Sequence, residues 1–532
     1  MKKWTVVTIL AVAQFVMVLD STVMNVSMST VAKDLGTTIN GLQAAITFYT
    51  LTMAAFMLTG GKLGDVWGKF NAFKIGAVVY SIGSLITALA PSLGILMLGW
   101  SFTEGLGAIL VIPAIAALIA ANYEGKDRVV AFAIIGGISG VAAAAGPLVG
   151  GFFTTYLSWR YVFISETAIM IVLLFCMRYV NQPSEKRIPF SSIDIPSVLL
   201  SAFGMIALVF GMLQSKTWGW VQPMGKPEIA GYAIAPLGIS LVAYLLVTGV
   251  IILRAFYKRS QRLEAAKDGH PLVKVSMFKI PQLRAGLMVL MFQYVITAAA
   301  FFVIPVYLQI VLGYDALTTG IKILPMSVGL ILCSVTGTRM IHRYSPKQII
   351  RLGQILLTLG ALLLLGSLNA DLRGLMFGLS VFTVGGGLGL LASQIGNVTM
   401  TAVDASESSE VGGLQGTSQN LGSSFGTALI GSVMIASLTT SFVNGINQST
   451  TMPNQVKTYA TQNATAGIPV VSAQELQTYA VQQGVPQSTA DEIASIYKTS
   501  EIAALQEAAF FIVLLAGASL LFSRHIPDKK LG

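Results

Sequence analysis

The chain has 532 residues, of which 54% are hydrophobic and only 11% charged, whereas soluble domains run at ~25% charged. A soluble core of this length cannot hide so much apolar surface, which excludes a soluble globular protein and points to a polytopic membrane protein. The formal charge of +10 raises nucleic acid as a partner, but its placement along the chain belongs to membrane topology instead.

Fourteen apolar segments are long enough to cross a ~30 Å hydrocarbon core at ~20 residues each. They fall at 5–30, 42–61, 71–90, 95–121, 129–153, 161–180, 194–215, 229–253, 285–311, 318–338, 349–367, 375–400, 411–437 and 506–523. The first lacks an evident small-residue cleavage site and reads as a retained helix. With the N-terminus placed inside, the predicted inner loops carry most of the 33 Lys and Arg, as the positive-inside rule requires. The 254–284 connection alone holds Arg254, Lys258, Arg259, Arg262, Lys267, Lys274, Lys279 and Arg284. Both termini are therefore expected in the cytoplasm of a multi-pass protein of the cell membrane.

Residues 438–505 are polar and expected outside. Stretches 472–483 and 488–506 look helical there, broken by Gly484 and Pro486, and form either a solvated loop or a lid. Basic turns Gly61–Lys69 and Gly337–Lys347 follow the second and tenth spans, which suggests repeated halves. The expected fold is all-α: an N-terminal six-helix bundle (1–182), two inserted helices with a basic connection (183–284) and a C-terminal six-helix bundle (285–532).

The first span holds a single acid, Asp20. A carboxylate at the centre of a membrane helix costs about 2.5–3.5 kcal/mol on insertion scales, so it must face protein or water. Helical periodicity puts Ala13, Met17, Met24 and Ser27 on its face, a soft wall suited to variable greasy cations. The fourth span adds Glu104, with Met97, Trp100, Ser101, Ala108 and Val111 on its face. At 1.5 Å per residue, Asp20 is about 24 Å beyond Trp4 and Glu104 about 12 Å beyond Leu96 on an oppositely directed helix. Both then fall in the outer half, where they could share a cavity. One of them would hold a proton near neutral pH and could exchange it for a cation. The alternative is a Glu bonded to Ser or backbone between helices.

Glu166 is weighed evenly between a site role and an ion pair with Arg160. Asp194 reads as a helix cap. Asp404, Glu407 and Glu410 read as solvated or helix N-terminal charges. The fifth span carries small residues at Gly136/Gly140 and Gly146/Gly150, with Pro147 favouring a bend; packing and gating both fit. Gly412/Gly416 and Gly422/Gly426 repeat the spacing in the thirteenth span, where Gln415 and Gln419 offer neutral polar contacts.

Four motifs carry a resemblance to the major facilitator superfamily, and within it to the fourteen-helix drug:proton antiporters of the quaternary-ammonium and dye exporting type. They are Leu19-Asp20-Ser21-Thr22-Val23-Met24-Asn25-Val26 in the first span, the loop Gly61–Lys69, Gly140 with Gly146-Pro147-Leu148-Val149-Gly150-Gly151 in the fifth span, and Trp159–Phe163 entering the sixth. The resemblance implies that Gly61, Gly64, Asp65, Gly68 and Lys69 form a conformational latch holding the outward-facing state. It also assigns Gly146, Pro147, Gly150 and Arg160 to gating. The chain departs from the pattern at Val66, where Arg is usual. It departs again at Ser101-Phe102-Thr103-Glu104-Gly105, where Arg-x-x-Gln-Gly is usual, so the family's proton path is not transferable unchanged.

Enzyme chemistry finds no support. No phosphate-cradling loop is present, and His270, His342 and His525 make no metal cluster. Cys176 and Cys333 lie in apolar runs and imply no disulfide framework. The expected activity is proton-coupled export of amphipathic, cationic drugs by a monomer, without cofactors. Protons, the bilayer and the small substrates are its partners, and nucleic acid is not. An endogenous lipid, pigment or metabolite is the alternative cargo, and a non-pumping sensor or channel the alternative class.

Overall fold

The computed structural model describes residues 3–180, 189–224, 228–229, 232–233, 235–266, 269–372, 374–404, 407–463, 468 and 470–528. Among them, fourteen helices are long and apolar enough to cross a membrane. The first six are α1 (Thr5–Asp34), α2 (Ile39–Trp67), α3 (Lys69–Ala88), α4 (Leu93–Asn122), α5 (Gly125–Tyr156) and α6 (Arg160–Cys176). Two more follow, α7 (Ile195–Trp218) and α8 (Leu241–Ala265). Then come α9 (Pro281–Pro305), α10 (Ala316–Met340), α11 (Pro346–Ser367), α12 (Gly374–Met400) and α13 (Ser408–Gln448). Two short helices, α14 (Asn454–Asn463) and α15 (Ala473–Gln482), precede the last span, α16 (Gln487–Ser519). Among the described residues the fourteen spans alternate in direction, so the start of α1 and the end of α16 lie on one side of the bundle, called here the terminal side, and the α13–α16 connection on the other.

Local chemistry sets many of the ends. Thr38 accepts the Gly41 amide at the start of α2, Asp315 caps α10, and Ser345 with Gln348 forms a capping box on α11. Gly68 turns α2 into α3 with a φ of 84°, which a side chain would strain. Asp194 caps α7 through the Ser197 amide at 3.0 Å. Its carboxylate also takes two bonds from Arg259 of α8, at 2.7 and 2.6 Å, which hold it well below the usual carboxylate range.

The eighth span is displaced from its expected position. Residues expected to open it at 229 instead form a two-rung antiparallel ladder, Glu228–Ile229 with Tyr232–Ala233. Ser240 then caps α8, its hydroxyl accepting the Val242 amide at 3.2 Å. This places Arg254, Lys258, Arg259 and Arg262 on the helix itself rather than in a loop. The last span also starts earlier than expected, because the helix beginning at Gln487 runs without a break into the apolar segment.

Two large cores organise the molecule. One is built from α1–α6 and completed by Leu272, Val273, Met277, Leu283, Leu287, Met400, Val411 and Leu414. The other is built from α9–α13 and α16. Helix α7 packs on both α2 and α13, with Met205 and Val209 buried against Ala54 and Leu421. Helix α8 packs mainly on α7, where Gly204 and Gly249 admit Leu253 and Leu208. Its outer face is bare, with Val247, Val250 and Ile251 at 59%, 57% and 62% exposure.

Candidate functional site

The first core encloses an acid cluster. Asp20 of α1, Glu104 of α4 and Glu166 of α6 are all buried, and one carboxyl oxygen from each lies within 4.8 Å of the other two. The Trp100 indole donates to Asp20 Oδ1 at 2.8 Å and stacks on Tyr49 of α2 with ring centroids 4.8 Å apart. Tyr80 of α3 donates to Glu166 Oε2 at 3.4 Å. The Ser84 hydroxyl lies 3.3 Å from the same oxygen and 3.1 Å from the Phe163 carbonyl. Among the described residues, Asp20 Oδ2, Glu166 Oε1 and both oxygens of Glu104 are buried without a well-formed hydrogen bond, although the Tyr49 and Tyr80 hydroxyls interact with Asp20 and Glu104.

Local backbone geometry brings Glu104 into the cluster. Residues Met97–Glu104 of α4 are π-helical, a rare form that recurs at functional sites. Gly83 of α3 lets this segment approach so closely that a Cβ there would stand 2.5 Å from the Glu104 amide nitrogen. Ser101 donates to the Ala45 carbonyl of α2 at 2.8 Å, pinning the segment from the other side. Like charges this close in a desolvated site require protons or a bound cation between them. Among the described residues no Lys or Arg forms an ion pair with any of the three.

Arg160 is engaged elsewhere. It pairs with Asp34, donates to the Ala90 carbonyl at 2.9 Å and covers the Trp159 ring at 4.5 Å. The ion pair weighed for Glu166 and Arg160 is therefore absent from this structure. Met17 and Met24 are buried in the first core. Gln415 bonds Thr399 of α12, and Gln419 is half-buried on α13. The side chains of Asn25 and Pro147 lie outside the described residues.

The glycine motifs divide between two kinds of contact. On α5, a Cβ at Gly146 would run into Thr22 of α1, two residues past Asp20, and one at Gly150 would stand 3.2 Å from Val23. The same helix turns Gly136 toward Ala392 of α12, and Gly137 and Gly140 toward Ser334 and Leu330 of α10. It thus braces the acid-bearing helix and forms one seam with the second core.

The other seam joins α2 to α13. Gly61 and Gly64 face Ser409, a Cβ at Gly61 standing 2.8 Å from its carbonyl oxygen, and Gly416 faces Met57. Asp65 is half-buried beside them, and Lys69 is buried. Glu410, expected as a solvated or helix N-terminal charge, does lie in the first turn of α13 but is buried in an ion pair with Lys62 at 3.3 Å, the side chains 5% and 4% exposed. Its other oxygen accepts the Lys274 amide at 3.2 Å, and Lys274 Nζ meets Glu407 at 2.5 Å. The close approach of α2 and α13 removes both charges from water, which a sequence window around either residue does not show.

Glu501 of α16 was absent from the expected site residues. It is buried, and neither of its oxygens has a hydrogen-bond partner among the described residues. Its place on an apolar stripe with Tyr497, Leu505 and Ala508 was the available signal, masked by the polar residues around it.

Fourteen membrane-crossing helices, two cores meeting along close-packed seams and an acid cluster inside one of them define a multi-pass membrane transporter rather than an enzyme. The sequence profile of the Major Facilitator Superfamily matches residues 10–427. The chain belongs to that superfamily.

It is 28% identical over 437 residues to the puromycin resistance protein pur8 of Streptomyces alboniger, covering 81% of each chain. It is 27% identical over 439 residues to the tetracenomycin C resistance and export protein of Streptomyces glaucescens, covering 81% of this chain and 76% of that one. The fold also matches the human organic anion transporter MFSD10 with a TM-score of 0.55 at 12% identity, covering 96% of this chain and 100% of the other.

Proposed function

We propose that the protein is a proton-coupled antiporter that exports amphipathic, cationic small molecules across the cell membrane, with both termini in the cytoplasm. The observation that carries this reading is the cluster of Asp20, Glu104 and Glu166, buried with one oxygen of each within 4.8 Å of the others and, among the described residues, with no Lys or Arg paired to them. Such a cluster is neutral when it carries protons and attracts a cation when it loses them. Protons arriving from outside neutralise the cluster and release the cargo, and their loss to the cytoplasm restores the site. With no ATP-binding loop, the gradient supplies the work, about 2.3 kcal/mol per charge per 100 mV.

Trp100, Tyr49 and Tyr80 supply aromatic surface beside the acids, suited to a greasy cation. Relatives named for antibiotic resistance and export support a small-molecule cargo. The Lys62–Glu410 pair and the glycine seams support alternating closure of the two halves, with the ion pair closing the cytoplasmic end.

The test is uptake of a permanently charged lipophilic dye, ethidium, into proteoliposomes under an imposed pH gradient. We expect Asp20→Asn, Glu104→Gln and Glu166→Gln each to lower gradient-driven uptake at least tenfold while dye exchange down its own gradient persists. Normal pumping by all three variants removes the cluster from the mechanism. Uptake of an anionic dye in place of ethidium removes the cationic cargo.

A further inference from the structure

We propose that the terminal-side end of α8 is a binding site for the anionic headgroups of the surrounding leaflet. The first observation is a mismatch. Between the Ser240 cap and Arg254 the helix has only the apolar run Leu241–Leu253, which spans about 20 Å at 1.5 Å per residue. A ~30 Å hydrocarbon core is longer than that. Arg254 therefore enters the bilayer region on a helix whose outer face is bare.

The second observation fixes depth. Arg259 pairs with Asp194, the residue that begins α7, so Arg259 marks the level at which α7 enters the membrane. On that scale Arg254 is about 7 Å deeper, Lys258 is level and Arg262 is about 5 Å beyond. Arg254, Lys258 and Arg262 follow one another at four-residue spacing and so share a face, and all three are exposed.

The third observation is that this stripe lacks partners. Several other cations on the terminal side are matched by acids: Lys3 with Asp127, Lys62 with Glu410, Arg259 with Asp194, Lys274 with Glu407 and Lys347 with Asp528. No ion pair is found for Arg254, Lys258 or Arg262 among the described residues. A long cationic side chain below the headgroups reaches up to them, and a cluster of such chains at a span's end attracts anionic lipid. Tyr257, exposed on the same turn, adds an aromatic anchor at headgroup level. The phosphate of an anionic phospholipid completes the charge balance that α7 supplies to Arg259 alone.

The experiment titrates the purified full-length protein with dioleoylphosphatidylglycerol or dioleoylphosphatidylcholine and counts retained lipid by native mass spectrometry. Wild type is expected to retain the glycerol lipid in preference to the choline lipid. The triple variant Arg254→Gln/Lys258→Gln/Arg262→Gln is expected to retain at least tenfold less of the glycerol lipid, with choline-lipid retention unchanged. A scattered control, Lys126→Gln/Arg178→Gln/Arg343→Gln, removes equal charge from exposed positions on the same side and is expected to change retention less than twofold.

Equal losses in the two triple variants, or no lipid preference in wild type, overturn the site. Should the stripe variant fail to fold, Lys258→Gln and Arg262→Gln alone each lower retention several-fold. Unchanged retention in both single variants also overturns it.

Discussion

The two seams between the halves are built on different physics. Where α2 meets α13, glycines bring the backbones together and a buried ion pair, Lys62–Glu410, closes the contact. Where α5 meets α10 and α12, glycine, alanine and serine interdigitate, the polar link is the Ser334 hydroxyl on the Ala133 carbonyl at 3.2 Å, and no ion pair crosses among the described residues. Losing one partner of a buried ion pair leaves an uncompensated charge, so under the proposed mechanism the first seam would act as a catch that is either made or broken. Small residues let the backbones of the second seam approach closely without charge, so under the proposed mechanism it would act as a bearing between the halves.

The sharpest way to break this contrast is at the catch. Glu410→Gln leaves Lys62 buried without its counter-charge and is expected to destabilise the closed seam by about 3–5 kcal/mol. The readout is a fall in thermal midpoint together with faster labelling of a cysteine introduced beneath the seam. Lys62→Met/Glu410→Met is expected to recover most of the midpoint, and a stable Glu410→Gln variant would show that the pair is incidental.

At the bearing, steric change matters more than charge. Gly140→Ala pushes a methyl into Leu330 and is expected to cost about 1–3 kcal/mol and to slow exchange between states. Adding Leu330→Ala should restore the exchange rate, and the absence of rescue would argue against a moving contact.

The smallest effect belongs to Ser334→Ala, which removes one hydrogen bond to a carbonyl. A loss of about 0.5–1.5 kcal/mol is expected, well below that of Glu410→Gln. A larger loss would mean that the bearing too is held by polar contacts.

Hydropathy and loop charge made the fourteen spans legible, because membrane crossing is a property of single segments. The eighth span was misplaced because apolar residues before Ser240 average like a helix, whereas turn geometry and a capping serine set the true start. Asp20 and Glu104 were readable as expensive acids within apolar runs. Their meeting with Glu166 was only half readable, since it depends on a π-helical segment and on Gly83 pressing against Glu104. The Lys62–Glu410 pair joins residues 348 positions apart, and no local pattern reports such a partner. Glu501 went unread for the opposite reason, its apolar stripe being diluted by polar neighbours.

The segment after α8 has a consequence for biogenesis. Leu272, Val273 and Met277, and later Val411 and Leu414, complete the core that α1–α6 begin. When the ribosome has released only the first six spans, that core is still missing pieces encoded far downstream. The core of the early helices is therefore complete only once the start of α13 has been made. The two halves are thus joined in time as well as in space: the first to be made is among the last to be finished.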